Sequence, residues 1–554
     1  MTTRSILGVV LFAQSLTRVA AARVPGSPFP VPALGLNASR SLFAYDIHSG
    51  SETDAFTVQT LQGVLAQQAP RVFRYDSSTG AAPYSLWLSE TSRLFGVAVD
   101  SSHATDAAAL IKAAVAAFPG DVAGYALTAL DDNSTNACVA AAAAARVLCV
   151  TAANEQDAVA AGLAKLLDVR GKGLDWVLET FGGNFSKSVT VLQLASEGVG
   201  CMSDYSIASK ALQWWQDDVV FSPLAWVVWG GMEPPFAMLG WGPDEYGTVN
   251  EVSKAGGVVV ASNWASNVDA LAAFDVPSFT QGAAPAPPLP PAPRAVHTVS
   301  FLMSDGDNLQ WVLDGFCTDP RWFGSADRGS VALGWTLGPT VADLAPAVLS
   351  YLYNGTAQPA PFRDVFVAGV SGAGYFYPDS TLGAGASGPQ RLAAAAQLTA
   401  DYMAKAGMRV ANVMAHGEGF ASDALPAEFL KHDQIDALLF YNYDNYAGMR
   451  GNITFVSGKP VIGGRYNLWG SGMPPDPVSP NFYNVSGLID ALVRLSSTDS
   501  TSSDGYSLIP LHAWSHTVSD ARAVMEGVQA QAPGKFEFVA PDELVARVAA
   551  FVKH

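Results

Sequence analysis

The sequence predicts an α/β protein in two parts: a C-terminal (β/α)8-type, TIM-like barrel preceded by an N-terminal α/β domain. Three observations predict this arrangement. Eight apolar, strand-like segments recur after residue 295, strand-like and helix-like segments alternate before residue 280, and a proline-rich stretch lies between the two regions. Eight strands in a stretch of about 260 residues is the size expected of such a barrel.

The composition is that of a globular, acidic protein. The chain has 554 residues, of which 49% are hydrophobic and 14% are charged, so it is too apolar to be disordered. Its 49 acidic residues outnumber the 31 basic ones, which gives a formal net charge of −18. Such a surface repels phosphate backbones, and nucleic acid is therefore not an expected partner.

The N-terminus reads as a signal peptide over residues 1–22. Arg4 precedes a short apolar core at 6–13, and three alanines at 20–22 offer a cleavage site. The core is too short to span a membrane, and no membrane anchor is predicted elsewhere. Asn-x-Ser/Thr sequons favour a secreted, extracellular glycoprotein, and they lie at Asn37, Asn133, Asn184, Asn354, Asn452 and Asn484.

The four cysteines do not form a metal-binding pattern. No CxxC pair occurs among Cys138, Cys149, Cys201 and Cys317, so a zinc cluster is not expected. No cofactor is predicted. Cys138 and Cys149 are close enough in sequence for a local disulfide, although two buried thiols would fit the spacing equally well.

A proline-rich linker at 281–294 marks the expected boundary between an N-terminal domain at 30–280 and a barrel domain at 295–554. Six prolines between Pro285 and Pro293 favour an extended, semi-rigid spacer. The alternative is an ordinary loop packed on the surface.

In the N-terminal domain, strands and helices alternate, which is typical of parallel α/β sheets. Neither a GxGxxG nor a GxxxxGK[ST] motif is present, so no nucleotide site is predicted. The predicted strands are 41–45, 71–75, 147–151, 189–194 and 257–261, and the predicted helices are 57–67 and 136–146.

In the C-terminal domain the best-defined helix is 389–406, which has Pro389 at its start and Gly407 after its end. A long Pro/Ser/Asn-rich loop replaces a clear helix between the sixth and seventh strands, so an incomplete barrel is the alternative. The eight predicted strands are 296–303, 330–337, 364–370, 409–415, 437–443, 459–464, 506–512 and 535–540.

Polar and aromatic residues cluster directly after these strands. In a barrel of parallel strands the carboxyl ends converge on one face, where barrel enzymes hold their active sites. This ordering therefore predicts one site at that face. The clusters are 304–311, 371–378, 416–420, 443–446, 465–469 and 512–516.

Two of these clusters carry a resemblance to a known family. Residues 372–378 read GAGYFYP and match the pattern GxGYxYP, and residues 303–311 read MSDGDNLQW. The second segment is similar to an Asp-Gly-Asp-Asn-x-Gln-Trp signature. The chain thus resembles the GxGYxYP family of putative glycoside hydrolases. The resemblance implies a secreted, carbohydrate-active protein with an N-terminal α/β domain before the C-terminal one.

Glycoside hydrolysis usually needs two carboxyl groups beside the scissile bond. Asp305 and Asp307 are spaced to face one side of an extended segment, and their alternative role is an Asx turn around Gly306. An exposed loop residue is the alternative for Glu418, and a turn cap is the alternative for Asp444. The predicted catalytic residues are Asp305, Asp307, Glu418 and Asp444.

Aromatic rings can stack on a sugar, while amide, hydroxyl and guanidinium groups can bind its hydroxyls, although aromatic residues are also common core material. In the N-terminal domain, a turn with Trp241, Asp244 and Glu245 could reach across to the site. The predicted substrate-binding residues are Asn308, Gln310, Trp311, Tyr375, Tyr377, Arg465, Asn467, Trp469, His512 and Trp514.

Two other functions are compatible with these residues. A metal-dependent polysaccharide deacetylase could use Asp305 and Asp307 with His512 and His516 as ligands. A non-catalytic carbohydrate-binding protein would keep the aromatic residues and need no carboxylate pair. All three readings predict a carbohydrate as the partner, and none predicts the oligomeric state.

Overall fold

The structure is a computed structural model, which shows a mixed α/β protein with parallel sheets. The signal peptide, Asn37, Asn133, Cys201, Glu418 and Asp444 lie outside the described residues. The structure describes residues 24–30, 41–78, 83–132, 134–193, 202–215, 223–283, 285–357, 360–416, 423–443, 449–470, 482–495 and 497–553.

The N-terminal half contains three small parallel sheets, with strand orders β2-β1-β3, β5-β4-β6 and β10-β9-β7-β8. Its strands are β1 (Ser41–Asp46), β2 (Val72–Tyr75), β3 (Ala98–Asp100), β4 (Gly124–Leu127), β5 (Val147–Val150), β6 (Lys165–Asp168), β7 (Val189–Gln193), β8 (Leu212–Trp215), β9 (Phe236–Gly240) and β10 (Gly257–Val260). Its helices are α1 (Glu52–Ala66), α2 (Pro83–Phe95), α3 (Ala107–Ala117), α4 (Ser134–Ala145), α5 (Glu155–Ala160), α6 (Leu174–Phe181), α7 (Ser203–Ser209), α8 (Pro223–Gly230), α9 (Glu245–Ala255) and α10 (Val268–Leu271).

Capping residues set the ends of two of these helices. Helix α1 begins five residues before the predicted start, because Ser51 and Asp54 form a capping box that satisfies its first N–H groups. Helix α9 begins after Asp244, whose carboxylate accepts a hydrogen bond from the Gly247 N–H, and it ends at Gly256 with φ 89°. These caps place Glu245 at the first position of α9.

The C-terminal half is built on one large sheet. Its strands are β11 (His297–Met303), β12 (Leu333–Leu337), β13 (Asp364–Ala368), β14 (Val410–Ala415), β15 (Ala437–Asn442), β16 (Ile453–Val456), β17 (Lys459–Gly463), β18 (Asn467–Leu468), β19 (Phe482–Tyr483), β20 (Tyr506–Leu511) and β21 (Phe536–Phe538). Its helices are α11 (Leu309–Leu313), α12 (Val341–Leu344), α13 (Pro346–Thr356), α14 (Pro378–Leu382), α15 (Gly388–Ala406), α16 (Ala424–Leu430), α17 (Val485–Arg494), α18 (Val518–Gln531) and α19 (Pro541–Phe551).

All eight strands predicted for this half are present as β11–β15, β17, β20 and β21. The sheet order is β16-β17-β15-β14-β13-β12-β11-β20-β18-β19, and all pairs are parallel except the hairpin β16–β17. Strand β21 pairs with the start of β11, whose other edge is occupied by β20, so β21 and β12 share one edge of β11. An isolated parallel bridge joins Gly464 to Leu508. These pairings establish a large parallel sheet, but they do not establish a closed eight-stranded barrel.

The predicted helix at 389–406 is confirmed as α15, which ends at Gly407 with φ 68°. The proline-rich segment that precedes the large sheet has no helix or strand among its described residues. At its start, the Gln281 side chain exchanges two hydrogen bonds with the backbone of Phe366 in β13. The segment is therefore tied to the C-terminal half at its first residue.

The two halves share their apolar cores. Val258 and Val260 of β10 face one core cluster, together with Phe376, whereas Val259 faces the other, together with Tyr375. This alternation follows from the two-residue period of a β-strand. Strand β10 is therefore buried on both faces and joins the N-terminal half to the C-terminal one.

A disulfide joins Cys138 in α4 to Cys149 in β5, so of the two possibilities left open for this pair the local disulfide is the one found. Cys317 is a buried thiol, and burial raises its pKa. Within the described ranges, no helix combines the length and the apolar character that crossing a membrane requires.

Candidate active site

A cavity of about 320 Å³ lies between the two halves, at the carboxyl ends of several strands. Parallel α/β sheets bind ligands at this edge, because the loops that follow the strands converge there. The C-terminal half contributes residues that end or follow β11, β13, β14, β18 and β20, and the N-terminal half contributes residues after β9 and β10. The lining residues are Trp241, Glu245, Ala261, Asn263, Trp264, Ser304, Asp305, Asp307, Asn308, Gln310, Val370, Tyr375, Met414, Trp469 and Trp514.

The loop after β11 brings Asp305 and Asp307 to the cavity. Asp305 adopts φ 69°, in the left-handed region that few residues other than glycine enter. The Gly306 N–H donates to Oγ1 of Thr336 (3.0 Å), and its carbonyl accepts from the Gly338 N–H (3.0 Å). The loop is thus fixed against the end of β12, and both carboxyl groups line the cavity.

Of the three carboxyl groups that line the cavity, Asp305 accepts the most side-chain hydrogen bonds. Trp514 Nε1–H donates to its Oδ1 (3.0 Å), and the Ser304 hydroxyl donates to its Oδ2. Burial raises the pKa of Asp305, while these two hydrogen bonds oppose the increase by stabilising the ionised form.

Two other carboxyl groups in the cavity hold their protons more tightly. Burial raises the pKa of Asp307 to about 8, and the charges of Asp305 and Glu245 add to the increase. Burial also raises the pKa of Glu245 to about 7, with smaller contributions from Asp305 and Asp244, against a hydrogen bond from Tyr375 that lowers it. The three carboxyl groups therefore differ in how tightly each one holds its proton.

The GxGYxYP segment connects the two halves at this cavity. Tyr375 exchanges backbone hydrogen bonds with Val259 of β10 (2.7 and 2.8 Å), which form an antiparallel bridge. A Cβ on Gly374 would lie 2.9 Å from Val258 Cβ and 3.0 Å from the Val259 carbonyl oxygen. Glycine is required here because the two backbones approach so closely.

The two tyrosines of the motif form a hydrogen-bonded pair. The Tyr375 hydroxyl donates to Oε1 of Glu245 (3.0 Å) and lies 3.2 Å from the Tyr377 hydroxyl. The Tyr375 ring also stacks on Trp241, with 6.2 Å between centroids. Tyr377 is fully buried, and its N–H donates to Oγ of Ser253 in α9 (2.9 Å). Tyr375 thus lines the cavity, whereas Tyr377 lies outside the lining and contacts the Tyr375 hydroxyl.

Four tryptophans line the cavity, and one of them is Trp241, which stacks on Tyr375. Trp514 and Trp264 remain 47% and 50% exposed, and they come from different halves of the chain. Trp469 stacks on His512 with 3.6 Å between ring centroids, which fixes the plane of the tryptophan ring. Trp311 is buried behind Trp514, at 4.9 Å between centroids, and is not among the lining residues.

Asn308 and Gln310 line the cavity and also have structural roles. Asn308 caps α11 by accepting a hydrogen bond from the Trp311 N–H (3.4 Å). The Gln310 side-chain oxygen accepts a hydrogen bond from the Trp264 N–H (3.2 Å), and the Gln310 backbone N–H donates to the Ala261 carbonyl (3.1 Å). Gln310 therefore ties the loop after β10 to the start of α11.

Other predicted binding residues lie outside the cavity lining. Arg465 donates to the backbone carbonyls of Tyr506 (3.0 Å) and Ser503 (2.9 Å), and Asn467 is buried in β18. His512 faces the Ser515 hydroxyl through Nδ1 (2.7 Å). His516, a metal ligand in the deacetylase alternative, faces the Asp520 carboxylate through Nδ1 (3.3 Å). Over the described ranges, no three His, Cys, Asp or Glu side chains are arranged to hold a metal ion.

Sequence reasoning missed Asn263 and Trp264. Both follow strand β10, so the rule that polar and aromatic residues after a strand mark a site would have found them in the N-terminal half too. Asn263 is buried, and its Oδ1 has no hydrogen-bond partner among the residues that the structure describes. Trp241 and Glu245 belong to the turn that the sequence suggested would reach across.

The comparisons with known proteins agree with the motifs. Residues 295–549 match the GxGYxYP putative glycoside hydrolase C-terminal domain, and residues 188–273 match the GxGYxYP third domain. The fold is similar to the crystal structure of a putative hydrolase from Bacteroides thetaiotaomicron, with a TM-score of 0.80 and 23% identity. That similarity covers 95% of this chain and 98% of the other. No curated protein matches the chain. The two matched regions and the motifs they contain place the chain in the GxGYxYP family of putative glycoside hydrolases.

Proposed function

We propose that the protein is a glycoside hydrolase that cleaves an O-glycosyl bond in the cavity between its two halves. The observation that carries this proposal is the group of three carboxyl groups, Asp305, Asp307 and Glu245, that line one cavity beside exposed tryptophans. The predicted carboxylate pair, Asp305 and Asp307, belongs to this group.

Glycoside hydrolysis needs one ionised carboxylate and one protonated carboxyl group at the same bond. Asp305 is the best candidate for the ionised group, because Trp514 and Ser304 donate hydrogen bonds to its two oxygens. It would attack the anomeric carbon or activate a water molecule. The pKa values of Asp307 and Glu245 are raised to about 8 and about 7, so each group can still carry a proton near neutral pH, as a proton donor must.

The remaining lining residues suit a neutral sugar. Trp264 and Trp514 offer exposed aromatic faces, on which the apolar face of a sugar ring can stack. The buried Oδ1 of Asn263 can accept a hydrogen bond from a sugar hydroxyl, which would satisfy a polar atom that otherwise lacks a partner.

We also propose that the large sheet closes into a TIM-like barrel and that the protein is secreted. The bridge between Gly464 and Leu508 supports a closed arrangement in which β17 lies beside β20, so that the cavity sits at the carboxyl end of a TIM-like barrel. The exposed asparagines of four sequons and the disulfide favour secretion. Those asparagines are Asn184, Asn354, Asn452 and Asn484.

The test is a glycan turnover screen with the purified protein. We expect release of reducing sugar from at least one glycan, with insensitivity to EDTA and loss of activity in Asp305→Asn. Asp401→Asn, a substitution on α15 outside the cavity, is the matched control and should retain activity.

Other outcomes would contradict the proposal. Acetate release that EDTA stops would favour the deacetylase, and glycan binding without any product would favour a non-catalytic binding protein. Full turnover by Asp305→Asn would remove that carboxylate from the reaction.

A further inference from the structure

The cavity has one wall from each half of the chain, and each wall carries at least one carboxyl group. Asp305 and Asp307 lie on a single loop of the C-terminal half, whereas Glu245 comes from the first turn of α9 in the N-terminal half. A glycosidase places its two reacting carboxyl groups on different sides of the scissile bond. Two groups on one short loop fit this requirement less well than two groups on different walls.

We propose that Glu245 is the residue that protonates the leaving oxygen, so that the two halves of the chain together form the active site. This inference rests on the proposed glycoside hydrolase function. In the reaction, the bond between the anomeric carbon and the leaving oxygen breaks, and the proton of Glu245 goes to that oxygen. One water is consumed: its oxygen joins the anomeric carbon, and one of its protons restores the Glu245 carboxyl group.

A helix cap and one side-chain hydrogen bond hold Glu245 in place. Its backbone begins a helix that Asp244 caps through the Gly247 N–H (2.7 Å). Its Oε1 accepts the hydrogen bond of Tyr375 (3.0 Å), and the Tyr375 ring stacks on Trp241. Tyr375 is therefore a positioning residue, and its role explains why the motif has a tyrosine directly after the glycine that contacts β10.

The groups around Glu245 favour a carboxyl group that can give up and regain a proton. Burial is the main cause that raises its pKa, the Tyr375 hydroxyl lowers it, and the charges of Asp305 and Asp244 raise it further. Asp307 faces the same cavity, and its own pKa is raised in part by the Glu245 charge. The balance leaves the pKa of Glu245 at about 7.

Other titratable groups lie around Tyr246, which follows Glu245 in α9. The Tyr246 ring lies 4.5 Å from the His416 ring and 5.8 Å from the Tyr377 ring, measured between centroids. Asp379 accepts the His416 N–H through Oδ2 (3.1 Å). Tyr377 and His416 thus contact Tyr246, whereas Asp379 is connected to it through His416.

The test uses the dependence of the rate on the leaving group. For the sugar that the wild-type protein hydrolyses, the 2,4-dinitrophenyl glycoside is compared with the methyl glycoside. A dinitrophenolate leaves without a proton, whereas methoxide needs one. We expect Glu245→Gln to lower kcat/KM on the methyl glycoside by about 10²–10⁴-fold, the usual contribution of a general acid, and on the dinitrophenyl glycoside by less than about tenfold.

Three further variants make the assignment specific. Asp305→Asn should lose activity on both substrates, and Glu251→Gln, on the same helix but paired with Lys254 outside the cavity, should lose activity on neither. Tyr375→Phe removes the donor that stabilises ionised Glu245. It should therefore raise the pKa of the acid and move the alkaline limb of the kcat/KM profile to higher pH, which a purely structural loss would not do.

The outcomes separate this inference from the proposed function. Equal losses on both substrates in Glu245→Gln, or a leaving-group-dependent loss in Asp307→Asn instead, would overturn the assignment of Glu245 and leave a glycoside hydrolase. A wild-type protein that hydrolyses no glycan and no aryl glycoside would overturn the proposed function, and the role of Glu245 with it.

Discussion

At Asp305 the backbone adopts φ 69°, and the next residue, Gly306, lies directly against the carbonyl of Thr336 at the end of β12. A Cβ on Gly306 would overlap that carbonyl oxygen, and a backbone carbonyl cannot move aside as the end of a flexible side chain can. The positions of Asp305 and Asp307 therefore depend on a residue that carries no functional group.

We expect Gly306→Ala to lower the free energy of unfolding by about 2 kcal/mol or more and to abolish turnover, because the loop must move away from β12. Urea denaturation and the glycan assay measure the two effects. Gly315→Ala is the control, since a Cβ there meets its nearest atom, of Trp322, at an ordinary 3.6 Å. Equal stability of the two variants would contradict this account of the loop.

The raised pKa of Asp307 also predicts a dependence of stability on pH. Above the ordinary pKa of an aspartate, the folded protein binds a proton at Asp307 that the unfolded chain has lost, so stability falls as the pH rises toward about 8. Asparagine does not ionise. The stability advantage of Asp307→Asn over the wild-type protein should therefore grow between pH 5.5 and pH 8 and then level off.

The measurement is the urea midpoint of both proteins across this pH range. Asp401→Asn, outside the cavity, should follow the wild-type curve. A constant difference between Asp307→Asn and the wild-type protein at every pH would show that the Asp307 pKa is not raised in the folded state.

Single site residues were predictable where polar side chains directly follow a strand in the sequence. Asp305, Asp307 and Tyr375 lie in segments whose polar residues follow a strand, and the structure brings all three to the cavity. Arg465 follows a strand in the same way, yet its guanidinium bonds to backbone carbonyls. The sequence places a residue after a strand, but the direction of a long side chain depends on neighbours that are distant in the chain.

At the scale of elements, the motif segment acts as a connector between β13 and β10. Its antiparallel bridge between Tyr375 and Val259 depends on the absence of a side chain at Gly374. The same segment then starts α14 with Pro378 at the first helical position, which fixes the direction of the chain behind Tyr377.

We expect Gly374→Ala to weaken the bridge, because a methyl group would lie about 3 Å from both Val258 and Val259. The helix start that carries Glu245 would then shift relative to Asp305, and kcat should fall by about tenfold or more, since misplacement of catalytic groups by 1 Å can cost 10²-fold. Gly173→Ala, where a Cβ meets no atom within 4 Å, should leave kcat unchanged. An unaltered kcat in Gly374→Ala would show that the bridge does not position the site.

Strands and long helices were largely predictable, since apolar runs and terminal Pro and Gly residues are local signals. Strand β11 and helix α15 begin and end within one residue of their predicted bounds. The pairing of β21 with the start of β11 was not predictable, because the order of strands is decided by tertiary contacts. The same holds for the contact of β10 with the motif, on which the cavity depends.

At the scale of the whole molecule, the two halves are joined by more than the proline-rich linker. Both apolar clusters contain residues of each half, and Trp87 Nε1–H donates to the Leu313 carbonyl (2.7 Å) across the boundary. Lys405 also pairs with Asp275 (2.7 Å), where its ammonium group is buried. The association of the halves should therefore not depend on an intact linker.

A protease site inserted at exposed residues 287–289 tests this expectation. After cleavage, the two fragments should elute together in size-exclusion chromatography and retain most of the turnover of the uncleaved insertion variant. Separation of the fragments without denaturant would show that the linker, and not the shared core, holds the halves together.

Because Glu245 and Asp305 lie on different halves, the recovery of activity can report one particular step of refolding. Tryptophan fluorescence can recover as each half regains its own sheets, but the proposed reaction requires that α9 dock against the loop after β11. During refolding, regain of activity would therefore time the docking of the halves separately from the formation of the sheets. The delay between the recovery of fluorescence and the recovery of activity would measure the lifetime of a state whose sheets have formed but whose halves have not docked.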